Sequence, residues 1–285
     1  MGKQAAAVMG LLLSIVGLLM VLALFAETVS GRWDYGFDLE WMEGGMLFHV
    51  QRLRDGLPLY VEPGPEFIPY IYPPLYPWVL SLLGEPSYWM GRAVSVVATL
   101  GAAAAIAAIL RLERVPWLFC LGAAAAFLTC YDESGSFFDL VRGDALGLFL
   151  ASWALVAVRR ATTTSVVAGG LLLLAAYLAK HNYALLGLPM LLWLWTQQGR
   201  EKALVFCGAS LGTALLVTGG LVWSSQGRFL TYLLGVPSVH PFVGDRAWPG
   251  AELELVRALP WLSLAAGVAL LVLLGRYAAK TRATL

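Results

Sequence analysis

Apolar residues fall into eight blocks along this chain, at about 5–26, 89–110, 115–131, 142–158, 164–180, 184–197, 203–223 and 258–276. Each block is predicted to be a helix crossing a membrane. About 20 apolar residues span the hydrocarbon, and about 17 suffice at the short end. The blocks at 142–158 and 184–197 are the shortest. The polar stretches between blocks are brief, with two exceptions: residues 27–88, long, aromatic and acidic, and residues 224–257, rich in Gly and Pro.

Inside 27–88 the pattern changes. Leu39, Met42, Met46, Val50, Leu53 and Leu57 recur at steps of 3, 4, 4, 3 and 4, which is helical spacing. Glu40, Glu43, Gln51 and Arg54 lie largely off that stripe. The pattern predicts an amphipathic helix over 39–55, lying along the outer membrane surface and ended by Gly56 and Pro58. Residues 67–84 are apolar enough to imitate a ninth span. Four prolines interrupt them, and the apolar run after Pro77 is too short to cross. They are predicted to be a juxtamembrane element, with Tyr and Trp at headgroup level.

Charge fixes the orientation. With the N-terminus inside, the inner loops carry Lys3, Arg111, Arg114, Arg159, Arg160, Arg200, Lys202, Arg276, Lys280 and Arg282, against only Glu113 and Glu201. Short cytoplasmic loops dense in Lys and Arg follow the positive-inside rule. The other sixteen acids and all three histidines fall outside. Both termini are therefore predicted to be cytoplasmic, and the first helix is read as retained rather than cleaved, since no clear A-x-A site follows it.

Composition agrees. Charged residues make up 13% of the chain, about half the usual share of a soluble domain, roughly 25%. The fold class expected is all-α: one polytopic helical membrane domain over 1–285. A net charge of +1 argues against a nucleic-acid partner. Cys120, Cys130 and Cys207 lie in apolar blocks and read as small buried hydrophobes.

The candidate chemistry is in the outer segments. Asp38, Glu40 and Glu43, with Asp34, form an acidic cluster before and within the surface helix. Asp38 could cap that helix, and the glutamates could complement its dipole; alternatively one of them is a general base beside a lipid-linked substrate. A second cluster holds Asp132, Glu133, Asp139, Arg142 and Asp144. Arg142 and Asp144 open a membrane helix, either as a pair that snorkels and fixes depth or as a functional wall. Lys180 and His181 close another helix on the same side. Lys180 suits a phosphate and equally suits interfacial snorkelling. His181 and His240 show no metal-ligand spacing, so no metal site is assigned. Trp33, Trp41, Tyr60, Tyr70, Tyr72, Tyr76 and Trp78 suit an interfacial belt or sugar stacking.

Three stretches carry a resemblance. R-L-x-x-G-x-x-L-Y (Arg52 to Tyr60), Y-P-P-L-Y-P (Tyr72 to Pro77) and F-x-D-L-V-R-G-D-A-L (Phe137 to Leu146) follow a first helix and an acidic outer loop. Over about 5–223 their order and spacing resemble the GT-C superfamily, integral-membrane glycosyltransferases that use polyprenyl-phosphate sugars. The resemblance implies a GT-C-like fold in a bacterial inner (plasma) membrane, with the active site on the outer face. Its Asp-Glu pair falls on Met42 and Glu43, so Glu43 keeps the second position and Asp38 or Glu40 stands in for the first. Asp144 matches a second acid at a helix end. Tyr72 stands where many members have Lys. Members commonly run well past 285 residues, which makes a chain short at its C-terminus an expectation too.

The function expected from these readings is sugar transfer to an acceptor hydroxyl by inverting single displacement. Glu43, Asp38, Glu40 and Asp144 are the catalytic candidates. Arg142, Lys180, Tyr72, Arg228 and His181 are the substrate-binding candidates. The expected partners are a polyprenyl-phosphate-sugar donor, a glycan, lipid or protein acceptor, and membrane lipids. No cofactor is implied, and the sequence leaves a divalent metal open. A transporter is the main rival, although helix centres here carry no charge. A non-catalytic partner that binds lipid-linked glycans is the other, kept by Met42 and Tyr72.

Overall fold

The structure, a computed structural model, describes residues 3–239 together with 256, 257, 259, 260, 263–269, 271 and 272. Every regular element among them is helical. In order these are α1 (Lys3–Ser30), α2 (Glu43–Arg54), α3 (Leu75–Leu83), α4 (Tyr88–Leu112), α5 (Trp117–Thr129), α6 (Gly143–Arg160) and α7 (Thr163–Ala179). A tighter turn over His181–Leu186 leads into α8 (Gly187–Gln197). Helix α9 (Arg200–Ser224) carries a widened turn at Gly208–Gly212, and a short irregular helical run covers 228–238. Helical residues also occur at 263–269, inside the eighth apolar block. Residues 240–255, which include His240, and Arg276, Lys280, Arg282 and the end of that block lie outside the described residues.

Seven of the eight apolar blocks thus coincide with helices. Three helices are long and apolar enough to cross a membrane by themselves: Val8–Ser30, Tyr88–Leu112 and Arg200–Ser224, with mean hydropathies of 2.8, 2.3 and 1.8. Helix α5 has 13 residues and α8 has 11, or about 20 and 17 Å at 1.5 Å per residue. Length and composition therefore establish three candidate spans, and the expected count of eight is finer than that. Residues 67–84 do not form a span. Their only helix, α3, has nine residues, about 14 Å.

The surface helix differs from expectation in two ways. It starts at Glu43, not Leu39. The backbone N–H of Leu39 donates to Glu43 Oε2 at 2.7 Å, and that of Met42 donates to Glu40 Oε2 at 3.1 Å. These local bonds hold 39–42 in turns and compete with a helical start. Its apolar stripe also faces protein rather than lying bare for lipid. Met46 and Val50 pack with Leu59, Tyr60, Tyr70, Tyr76, Leu80 and Phe229. Leu57 escapes that core and is exposed, because Gly56 at φ +70° turns the chain away.

The same core settles three of the aromatics. Tyr60, Tyr70 and Tyr76 are buried, so they are neither an interfacial belt nor sugar platforms. Tyr70 Oη donates to the Pro73 carbonyl at 2.9 Å and Tyr76 Oη to the Gly91 carbonyl at 3.0 Å. Tyr60 Oη likewise donates to the Tyr72 carbonyl at 2.7 Å, so the Tyr60 and Tyr70 hydroxyls satisfy carbonyls of the proline-rich strap and that of Tyr76 ties α3 to α4. Trp41 and Trp78 remain exposed.

Small residues bring the helices together. A Cβ on Gly143 would sit 2.5 Å from the Ala179 carbonyl oxygen, and one on Gly169 would sit 3.0 Å from that of Ala154. Both positions seat α6 against α7 at backbone contact, the packing that small residues permit between apolar helices. Since α7 ends at Ala179, the first contact also places Lys180 beside the start of α6.

Candidate functional site

The loop between α5 and α6 delivers the site. Two hydroxyls on α4 hold it. Thr99 Oγ1 donates to the Phe138 carbonyl at 2.8 Å, and Ser95 Oγ donates to that of Leu140. The backbone N–H of Val141 donates to Glu43 Oε1 at 2.8 Å. Arg142 follows in an extended conformation before α6 begins, so its side chain leaves the helix end and crosses toward Glu40 and Tyr72.

Arg142 then joins residues from four stretches of chain. Its Nη1 lies 2.8 Å from Glu40 Oε2, its Nε 3.2 Å from Asp144 Oδ2, and its Nη2 donates to Tyr72 Oη at 2.9 Å. Its guanidinium also covers the Phe137 ring at 4.8 Å. Lys180 pairs with the other oxygen of Asp144 and lies 5.6 Å from the Tyr72 ring centroid. Tyr183 Oη donates to the Asp144 carbonyl at 2.8 Å. The result is an alternating chain of Glu40, Arg142, Asp144 and Lys180, with no net charge. Each of these side chains keeps some exposure, 22% for Asp144 and 19% for Lys180.

An open cleft of about 450 Å³ adjoins this chain, lined by Arg142, Asp144 and Lys180 together with Phe137, Phe138 and Leu148. A lining that mixes charged groups with apolar side chains suits an amphiphilic ligand. Burial beside the cleft raises the Tyr72 hydroxyl above its usual range, and Arg142 opposes that shift in part. His181 is held below the usual imidazole range by burial and by Lys180. It follows Lys180 in sequence, but no contact ties it to the four charged residues.

Glu43 departs from the role expected of it. It is fully buried. Arg92 Nη2 donates to its Oε2 at 2.9 Å and Arg92 Nε to its Oε1 at 3.3 Å. With Leu39 and Val141, four N–H donors fill the carboxylate. A base must reach the proton it removes, and no lone pair of Glu43 faces the cleft. Arg92 itself is spent on the fold. It also donates to the carbonyls of Arg32, Tyr35 and Phe37 at 2.9, 2.6 and 2.8 Å.

Three further candidates lie elsewhere. Asp38 is exposed and accepts from Tyr88 Oη at 2.6 Å; it is not the cap of α2, which has no side-chain cap. Arg228 pairs with Glu62 at 3.5 Å. Asp139 is buried, 3.1 Å from Arg32 Nε, and accepts from Tyr131 Oη at 2.8 Å. Burial raises its carboxyl, against the Tyr131 hydrogen bond and the Arg32 charge. Sequence reasoning missed the role of Arg92. An arginine five residues into an apolar helix was the available signal, since a charge at that depth needs a partner. Among the described residues no three His, Cys, Asp or Glu side chains are grouped to hold a metal.

No protein-family model, curated protein or solved structure matches this chain.

Proposed function

We propose that this chain is an integral-membrane glycosyltransferase of the GT-C type, crossing a bacterial inner membrane about eight times with its site at the outer face. The observation that carries the proposal is the Arg142 bridge, which joins Glu40 to Asp144, while Arg142, Asp144 and Lys180 line a cleft that also has apolar side chains in its walls. A polyprenyl-phosphate sugar has that polarity. Its phosphate exchanges for the carboxylates on Lys180 and Arg142, and this frees Asp144. The acceptor hydroxyl then attacks the anomeric carbon as the bond to the phosphate oxygen breaks. Its proton passes to Asp144, and the lipid phosphate leaves on the two cations. One displacement gives inversion. Glu40 holds Arg142 from the other side, and Tyr72, which accepts a hydrogen bond from Arg142, touches the sugar on this reading. The acceptor is a glycan, a lipid or a protein.

Asp144→Asn is the test. General-base catalysis contributes about 10²–10⁴-fold, so transfer from a polyprenyl-phosphate sugar falls by that range while donor binding persists. Lys180→Gln weakens donor binding itself. Full turnover in Asp144→Asn removes Asp144 as the base. A second reading has one observation in its favour: Glu40 and Asp144 are both already engaged by cations. On that reading the chain binds lipid-linked glycans without transfer, and the wild type binds donor but turns none over.

A further inference from the structure

The end of the helices away from Arg142 carries a second, unassigned feature. Helix α6 runs 18 residues from Gly143 to Arg160, about 27 Å, so its two ends are separated by nearly the thickness of a bilayer core, roughly 30 Å. At the far end three arginines lie on tryptophan rings. Arg111 covers Trp117 at 4.9 Å, Arg159 covers Trp193 at 4.5 Å, and Arg200 covers Trp195 at 6.0 Å. Indole with a cation above it is the chemistry of a headgroup layer. The surrounding charges are Arg111, Arg114, Arg159, Arg160, Arg200 and Lys202 against Glu113 and Glu201, an excess of four positive charges (6 − 2). Glu113 is used on Arg159. Arg114 and Arg160 directly follow those two paired residues. Both are exposed, and neither side chain has an ion pair among the described residues.

Directly along the chain from Arg159 a groove of about 420 Å³ opens between α6 and the start of α8. Leu155, Pro189, Met190 and Trp193 line it, and Arg159 is its one charged lining residue. An apolar trough that ends in a guanidinium, with Arg160 next to that arginine in the chain and Arg114 next to its partner Glu113, complements one kind of molecule. We propose that this groove binds an anionic phospholipid, with one acyl chain against Leu155, Met190 and Trp193 and the phosphate between Arg114 and Arg160. A zwitterionic lipid fits the trough equally well but brings its own ammonium to a rim already positive. The inference needs a membrane around the helices and does not depend on the transferase reading.

Native mass spectrometry of the purified chain in a non-ionic detergent tests it, with phosphatidylglycerol and phosphatidylcholine of identical acyl chains. Phosphatidylglycerol is expected to stay bound at activation energies that strip phosphatidylcholine. Arg114→Gln and Arg160→Gln each weaken retention about five-fold, the worth of roughly 1 kcal/mol per cation near an anionic headgroup. Ser152→Phe, which fills the groove, abolishes it; where that variant lowers the melting temperature of the lipid-free protein, Leu155→Phe takes its place. Glycerophosphate, a headgroup without a tail, does not bind. Equal retention of both lipids overturns the proposal. So does retention that ignores the charge variants, or that survives groove filling.

Discussion

His49 shows how one side chain couples this fold to pH. It is buried between Phe48, Phe67 and Tyr70, where the Ile68 backbone only partly offsets the cost of charging the ring. Burial, and then the Arg52 charge, lower its pKa from 6.5 to about 4. The fold therefore holds the neutral ring, and the unfolded chain binds the proton first. The stability this contributes is full above pH 6.5 and is lost as pH falls from 6.5 through 4. At about 1.4 kcal/mol per unit the loss comes to about 3–4 kcal/mol. Melting temperatures of wild type and His49→Leu, measured from pH 7.5 to 4, check this: the variant flattens the fall. Glu43 makes the complementary case. Removing one member of a buried pair costs about 3–5 kcal/mol, so Glu43→Gln lowers stability by that order through Arg92 and the Val141 N–H. A variant that melts like wild type yet loses transfer would restore Glu43 as the base.

At the scale of elements, the α6–α7 contact sets the site. A Cβ at Gly143 meets the Ala179 backbone oxygen at 2.5 Å, and backbone cannot step aside as a flexible side chain can. Gly143→Ala should cost about 1–3 kcal/mol, as overpacking does, and should weaken donor binding by parting Lys180 from Asp144. Gly219→Ala on α9 is the control. Nothing lies near its Cβ, and alanine in a helix interior is favoured by about 0.5–1 kcal/mol. Equal melting of the two variants would show that the contact constrains nothing. These elements were legible to different degrees. Helices α1, α4 and α9 are written in long apolar runs, and α3 was separable from a span because its prolines are local signals. The start of α2 was not legible. Its stripe begins at Leu39, but the carboxylates of Glu40 and Glu43 capture the amides that a helix would need, and hydrophobic spacing carries no record of that. The charged site was half legible. Arg142, Asp144 and Lys180 drew notice as ionisable groups at helix ends, and Glu40 as part of an acidic run. Which glutamate would meet Arg142 depended on Arg92 claiming Glu43, a contact between residues 49 positions apart.

At the scale of the whole molecule, the two ends of the helices differ in the sign and state of their charges. At the Arg142 end, Glu40 and Asp144 neutralise Arg142 and Lys180, and Glu43 neutralises Arg92. At the other end, Arg114 and Arg160 are exposed and have no ion pair among the described residues. Helix α4 joins the two ends with 25 residues, about 38 Å, longer than the roughly 30 Å hydrocarbon layer. A chain inserted the other way would translocate these two arginines and keep the balanced end inside, against the preference of short loops. Cysteines placed one at a time report which way it lies. Cys120, Cys130 and Cys207 are unpaired and are first replaced by alanine. Glu62→Cys, at an exposed position in the segment expected to lie outside, should react with an impermeant maleimide on intact cells. Thr164→Cys, exposed at the start of α7, should react only after the membrane is opened. The opposite pattern inverts the map and moves the Arg142 cleft to the cytoplasm, where a lipid-linked donor of the outer leaflet cannot reach it. Reaction at both sites on intact cells would mean that α6 separates no compartments. That outcome removes the membrane reading from α6 itself, and with it the distance argument that sets the phospholipid groove apart from the Arg142 cleft.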